Sequence, residues 1–100
     1  SLPAPAASFA HYPLSVMPNP SSEAAIIRFG LPAPGPARLR VYDCAGRLMR
    51  EFTREEMSAG AHAISWDGTD EHGDPASPGV YVVLLQTSSR TIVRKLARTR

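Results

Sequence analysis

The stretch that most restricts the fold of this chain is residues 61–85, AHAISWDGTDEHGDPASPGVYVVLL. One strand-like run ends there at Trp66-Asp67-Gly68, another begins at Gly79-Val80-Tyr81, and a polar connection lies between them. Gly, Pro and Asp are typical of turns, whereas alternating and β-branched residues between such turns are typical of strands. The pattern therefore predicts short β-strands, and it favours a structural role for the polar connection.

The same alternation recurs through the rest of the chain, and helical periodicity is nearly absent. It predicts seven strands, at residues 14–17, 24–31, 37–43, 47–52, 62–66, 80–86 and 91–96. Residues 53–59 are expected to leave the sheet as a coil or a single helical turn, because they include good helix formers. Seven short strands with brief connections predict an all-β fold, a two-layer antiparallel β-sandwich.

Alternation within each run also predicts the core. The side chains expected to point inward are Ile27, Phe29, Leu31, Leu39, Val41, Leu48, Phe52, Ile64 and Trp66. The run at 80–86 is apolar on both faces, which predicts a central strand.

Several residues beside the turns have predicted structural roles. Trp66 is expected to fill the core with its indole N–H on a backbone carbonyl, and Tyr81 to be buried with its hydroxyl bonded to a loop. Asp67 is expected to cap a turn that Gly68 allows to bend tightly. Gly46 is expected to take a positive φ in the turn after the third strand.

Length and composition predict one domain. One hundred residues, 43% of them apolar, support a single hydrophobic core. Residues 1–11 are rich in Pro and Ala, which predicts an extended linker ahead of a domain at 12–100 and indicates a piece of a longer protein. No apolar run approaches the roughly 18 residues that cross a bilayer, so no membrane insertion is expected.

Charge and cysteine content exclude some classes of function. The net charge is only +2, and the last predicted strand carries Arg94 and Lys95. Because aromatic residues do not interleave with these cations, the strand is expected to be a solvated edge that discourages aggregation, and no nucleic-acid partner is expected. Cys44 is the only cysteine, which excludes an intrachain disulfide; a small, partly buried, space-filling role is expected for it.

The acids of the polar connection are the candidate metal ligands. Asp67, Asp70 and Asp74 lie within eight residues and could hold a calcium ion. The EF-hand pattern is not met, since His72 and Pro78 stand where it places its Gly and its Glu. Hydrated turn residues are therefore the main interpretation, and no cofactor is expected.

Catalytic patterns are missing from the sequence. His11 lies in the predicted linker, His62 in a strand and His72 in a loop, so no Ser-His-Asp triad is indicated. A Gly-x-Ser-x-Gly elbow and a Gly-rich phosphate loop are also missing. The chain is expected not to be an enzyme.

Taken in order, the motifs from Tyr12 onward resemble a known family. They are Pro18-Asn19-Pro20, Ile27-Arg28-Phe29 with Leu31-Pro32, Val41-Tyr42-Asp43 with Gly46-Arg47, Gly60 ahead of Trp66-Asp67-Gly68, Gly79-Val80-Tyr81, and the basic last strand. The series is similar to the immunoglobulin-like domain of the flagellar hook-capping protein and to the C-terminal sorting domains of the type IX secretion system. The resemblance implies an immunoglobulin-like β-sandwich.

The linker, the Pro-Asn-Pro corner and the basic last strand favour the sorting branch of that resemblance. It implies a non-catalytic C-terminal module that directs secretion and cell-surface attachment of a larger secreted bacterial protein, an enzyme with its catalytic domain upstream. The implied partner is the secretion and attachment machinery, and the implied location is secreted or at the cell surface. The residues that the resemblance assigns to sorting and recognition are Pro18, Asn19, Pro20, Gly79, Tyr81, Arg94 and Lys95.

Two other functions remain open. One is a structural or self-assembly spacer like the hook-capping domain. The other is a carbohydrate-binding module that would use Tyr42, Trp66 and Tyr81.

One feature departs from the pattern of the sorting branch. Sorting domains end almost at their final strand, whereas residues 97–100 follow the last predicted strand here.

Overall fold

A computed structural model describes residues 14–17, 24–88 and 90–99 of the chain, and this part contains seven β-strands and no helix. The strands are β1 (Ser15–Met17), β2 (Ala25–Leu31), β3 (Gly35–Tyr42), β4 (Leu48–Met57), β5 (Gly60–Trp66), β6 (Gly79–Thr87) and β7 (Thr91–Arg98). Each of the seven predicted strands is present within a few residues of its predicted bounds, except that β4 is five residues longer at its end.

The strands form two antiparallel sheets. The three-stranded sheet has the order β1-β2-β5 and the four-stranded sheet has the order β4-β3-β6-β7. Ile27 of β2 lies opposite Ile64 of β5, and Leu39 of β3 lies opposite Leu85 of β6. The predicted all-β sandwich is confirmed, and so is the interior position of β6 in its sheet.

One hydrophobic core fills the space between the sheets, because alternate residues of each strand face it. Its largest fully buried side chains are Trp66, Phe29, Leu14, Ile27, Leu39, Leu85, Leu96, Val41 and Val83. The inward positions predicted for β2, β3 and β5 are confirmed.

The predicted coil or helical turn at residues 53–59 is wrong. β4 continues as a strand to Met57, which pairs with Gly35 of β3, and Arg54 pairs with Ala37. Helix propensity is a weak preference, and the backbone hydrogen bonds that β3 offers along this segment outweigh it.

The prediction that Leu48 is a core residue is also wrong. Leu48 is 36% exposed, whereas Met49 is only 5% exposed and lies in the core. The pairing of β3 with β4 shifts between Val41, which faces Arg50, and Tyr42, which faces Leu48. The extra residue at Met49 reverses the inside-outside alternation at this end of β4, while Phe52 packs against the core as predicted.

The turn between β3 and β4 is confirmed, but the expected burial of Cys44 is not. One carboxylate oxygen of Asp43 accepts hydrogen bonds from the backbone N–H of Ala45 (3.0 Å) and of Arg47 (2.8 Å), and Gly46 has a φ of 86°. Cys44 is exposed because the Asp43 carboxylate makes the internal contacts of the turn and the thiol is not needed to fill it.

Candidate functional site

The connection between β5 and β6, residues 67–78, begins at a tryptophan that both sheets contact. Trp66 is fully buried, and its indole N–H donates to the carbonyl of Thr69 at 2.8 Å. The Tyr81 ring of β6 lies edge-on to it, with ring centroids 5.8 Å apart. The predicted role of Trp66 as a core residue bonded to a backbone carbonyl is confirmed.

Asp67 and Gly68 form the turn that was predicted for them. The Asp67 carboxylate accepts from the backbone N–H of Thr69 at 3.1 Å and from its hydroxyl at 2.6 Å, while Gly68 has a φ of 82°. These two hydrogen bonds, and then the charge of Arg50, lower the pKa of Asp67 below its ordinary value. An Arg50 guanidinium nitrogen lies 3.6 Å from the Asp67 carboxylate and 3.2 Å from the Thr69 hydroxyl, so it ties β4 to this connection.

Asp70 builds a second turn in the same way. One of its carboxylate oxygens accepts from the backbone N–H groups of His72 and Asp74, each at 2.9 Å, and the bond from Asp74 is the main cause of its lowered pKa. Within the described residues, no group of three or more His, Cys, Asp or Glu side chains is placed to hold a metal ion. The calcium candidates Asp67, Asp70 and Asp74 do not form such a group. The carboxylates of Asp67 and Asp70 instead serve as acceptors within their own turns.

Tyr81 is a structural residue of β6. Its ring is buried, its hydroxyl donates to the carbonyl of Ser77, and burial raises the pKa of the phenol. The predicted bond from this hydroxyl to a loop is confirmed. Gly79, at the start of β6, is exposed and has a φ of 148°.

Arg98 is an inward-facing residue that the sequence interpretation missed. Its side chain is 7% exposed, and the guanidinium carbon lies 5.2 Å from the centroid of the Trp66 ring. It also fills the space above Gly68, where an added Cβ would lie 2.6 Å from a guanidinium nitrogen. The signal that could have found it is the alternation of β7, in which Leu96 and Arg98 fall on the same face.

The remaining residues assigned to sorting are spread along the domain. Arg94 and Lys95 are exposed on β7, an edge strand, where they pair with Val83 and Val82. Gly79 pairs with Arg98 four positions further along β7, about 13 Å from Arg94. Pro18, Asn19 and Pro20 lie outside the described residues.

The two described histidines lie on different elements, His62 on β5 and His72 in the connection that follows it. A ring nitrogen of His62 lies 2.7 Å from the carbonyl of Ser58, and its ring tilts against Phe29. His72 lies in the polar connection, where its backbone N–H donates to the Asp70 carboxylate at 2.9 Å. A cleft of about 240 Å³ beside the β3–β4 turn includes Cys44 and Tyr81 but no histidine.

Two further observations bear on the classes of function. No helix of the described residues is long and apolar enough to cross a membrane. Of the aromatic residues considered for sugar binding, Trp66 and Tyr81 are buried and only Tyr42 is partly exposed.

Seven antiparallel strands in sheets of three and four, packed around a buried tryptophan, define an immunoglobulin-like domain. The family model for the FlgD Ig-like domain matches residues 17–90, and the chain belongs to this family. No curated protein sequence matches the chain significantly.

Similar solved structures support the same fold. FlgD from P. aeruginosa is 22% identical with a TM-score of 0.61, and the match covers 86% of this chain and 74% of that chain. Dimeric latent PorU from Porphyromonas gingivalis is 20% identical with a TM-score of 0.65, over 85% of this chain and 9% of PorU. PorZ, described as an essential surface component of the type-IX secretion system of the same bacterium, is 18% identical with a TM-score of 0.61, over 95% of this chain and 12% of PorZ. The chain thus spans about a tenth of the length of PorU and PorZ.

Proposed function

We propose that this domain is a non-catalytic module that directs secretion and cell-surface attachment of a larger bacterial protein through a type IX secretion system. The observation that carries the proposal is the shared fold with a part of PorZ, a surface component of such a system. The partners are the secretion and attachment machinery and the catalytic domain of the parent chain upstream, and the location is the cell surface or the medium.

The use of the polar side chains supports a recognition module over an enzyme. Asp43, Asp67 and Asp70 each accept backbone hydrogen bonds within their own turns, and the Tyr81 hydroxyl bonds to a backbone carbonyl. These groups stabilise loops. Arg94 and Lys95, in contrast, expose their side chains on an edge strand, where another protein can reach them.

A fusion experiment tests the proposal. Residues 12–100 are placed after a folded reporter protein that carries a leader for export to the periplasm, in a bacterium with a type IX system. We expect the reporter at the cell surface or in the medium. A folded reporter that stays in the periplasm with the wild-type domain attached would contradict the proposal.

A pair of double variants tests the role of the basic residues on β7. Arg94→Glu with Lys95→Glu reverses two charges on that strand, and Arg28→Glu with Arg54→Glu makes the same charge change on exposed positions of β2 and β4. We expect the first variant to retain the reporter in the periplasm and the second to export it. Equal export of the two variants would show that Arg94 and Lys95 are not part of the recognition surface.

The family match favours one second candidate, a structural module for assembly. FlgD of Xanthomonas campestris, whose structure was described for insights into hook capping essential for flagellar assembly, shares the fold at 20% identity with a TM-score of 0.55, over 86% of this chain and 63% of that chain. A chimera in which this domain replaces the corresponding domain of such a protein separates the two candidates. Restored motility would favour assembly, whereas export of the reporter without restored motility would favour sorting.

A further inference from the structure

In the described part of the chain four strands lie at the edges of the two sheets, and three of them carry features that discourage pairing with another strand. β1 has only three residues. β4 carries Arg and Glu side chains along its length and has two irregularities in its register with β3. β7 carries Arg94, Lys95 and Arg98. Short length, charges and bulges are the usual means by which proteins protect the edges of sheets.

The fourth edge strand, β5, has none of these features. Its sequence, GAHAISW, contains no Asp, Glu, Lys, Arg or Pro. It pairs with β2 over all seven residues without a register shift. No turn or loop backbone hydrogen bond among the described residues involves residues 60–66, and no described strand pairs with the side of β5 that faces away from β2.

We propose that this edge is an interface at which β5 pairs in antiparallel with β5 of a second copy of the chain. The midpoint of the strand is Ala63, and a two-fold axis there lets all seven residues overlap. Ala61 then lies opposite Ser65 of the second copy, and His62 opposite Ile64. The three-stranded sheets of the two copies join into one six-stranded sheet.

Size and charge favour a second copy as the occupant. In this pairing the bulky Trp66 lies opposite Gly60, and the outer-face residues Ala61, Ala63 and Ser65 are all small and exposed. The nearest outer-face cation is Arg28, opposite Ala63 in the β2 ladder. The Arg28 side chains of the two copies would be separated by three strand spacings, about 14 Å, which exceeds the Debye length of about 8 Å at physiological salt.

The pairing of one short strand buries less surface than a stable dimer requires, so the association is expected to be weak and dependent on concentration. The proposed dimer does not depend on the sorting function proposed above, because dimerisation is measured on the isolated chain. Sedimentation velocity of the 100-residue chain, from micromolar to millimolar concentration, is expected to show a mass that rises from monomer toward dimer.

Two double variants with the same substituted positions test the register. Ala61→Lys with Ser65→Lys places like charges opposite each other in the pairing, whereas Ala61→Lys with Ser65→Glu places opposite charges there. The positions next to them on β2 are Gly30 and Ile26, which are uncharged. We expect the Lys-Lys variant to weaken dimerisation at least tenfold and the Lys-Glu variant to dimerise at least as tightly as wild type.

A control variant adds the same two charges elsewhere, as Ala33→Lys with Ala45→Lys in exposed turns, and it is expected to dimerise like wild type. Hydrogen exchange of the folded wild-type chain should slow with concentration at alternate amides of residues 60–66. A wild-type chain that stays monomeric at millimolar concentration would overturn the proposal. It would also be overturned if the Lys-Lys variant dimerised like wild type, if the Lys-Glu variant failed to dimerise, or if β5 gained protection only with an added extended peptide.

Discussion

At the scale of single residues, the contact between Gly68 and Arg98 restricts which side chain position 68 can carry. The Arg98 guanidinium lies on the Trp66 ring and occupies the space where a side chain at position 68 would begin. The contact joins the last strand to the turn after β5. Position 68 therefore favours glycine for two reasons: the backbone has a positive φ, and a Cβ would meet the Arg98 guanidinium.

Alanine substitution at two glycines separates these two reasons. Gly68 and Gly73 have similar φ values, 82° and 86°, but a Cβ at Gly73 would meet no atom within 4 Å. We expect Gly73→Ala to lower the free energy of unfolding by about 1 kcal/mol, from the left-handed backbone alone. Gly68→Ala should lower it by about 2–3 kcal/mol, because Arg98 must also leave its position on Trp66.

Urea denaturation measures both variants. In a background of Arg98→Ala, the difference between the two glycine substitutions should shrink to within about 0.5 kcal/mol. If the difference persisted in that background, the close approach of Arg98 would not be its cause.

The turn aspartates predict a dependence of stability on pH. Hydrogen bonds, first from the backbone N–H of Arg47, lower the pKa of Asp43 below its ordinary value of 3.8. The folded state thus releases this proton more readily than the unfolded state, so the stabilisation is present above pH 3.8 and is lost as the pH falls through the lower folded pKa. Asp67 and Asp70 act in the same direction.

We expect Asp43→Asn to flatten the fall in unfolding free energy below pH 4, because the amide oxygen can still accept the turn's hydrogen bonds but no longer titrates. Denaturation midpoints measured from pH 2 to pH 6 provide the comparison. Glu71→Gln, at an exposed position of the polar connection, removes one carboxylate elsewhere in the chain and is measured beside it as the control for the change in net charge. An unchanged profile in Asp43→Asn would contradict the role of its carboxylate.

At the scale of elements, β4 shows most clearly where sequence patterns are insufficient. The alternation in β2, β3 and β5 predicted their inward faces correctly because β2 pairs with β5, and β3 with β6, in continuous register. In β4 an extra residue at Met49 changes the phase of that alternation. A bulge depends on how two strands pair, and the sequence of one strand does not specify it.

Alanine substitution at two adjacent residues tests this bulge. Met49→Ala should lower the free energy of unfolding by about 2–4 kcal/mol, as expected for a buried side chain replaced by a small one. Leu48→Ala should lower it by about 1 kcal/mol or less, because that side chain lies on the outer face. Thermal or urea denaturation measures both, and the reverse order of effects would contradict the register of β4.

At the scale of the whole molecule, Trp66 connects the two sheets. It belongs to β5 of the three-stranded sheet, and it contacts Tyr81 and Arg98 of the four-stranded sheet. Because one core lies between the sheets, neither sheet can keep its buried face after the other separates.

We therefore expect unfolding to be a single transition. Trp66 is the only tryptophan, so its fluorescence reports the packing of the two sheets, while far-ultraviolet circular dichroism reports the strands. The two signals should give the same denaturation midpoint and the same slope with urea. A fluorescence transition at a clearly lower urea concentration would show that the sheets separate before the strands unfold.

The sequence by itself determined the class of fold, the seven strands, the central position of β6 and the roles of Trp66, Asp67, Gly68 and Tyr81. These features depend on local alternation and on turn chemistry, which a single segment contains. Only the tertiary structure decided the length and phase of β4, the exposure of Cys44 and the position of Arg98 on Trp66. Two of these depend on a partner distant in sequence, β3 for the end of β4 and the turn after β5 for Arg98. The exposure of Cys44 follows from the neighbouring Asp43, whose carboxylate makes the hydrogen bonds of the turn. Pairing and packing between separate segments therefore decide which groups Arg98 contacts and place β5 at the edge of its sheet, although the residues themselves lie in local patterns.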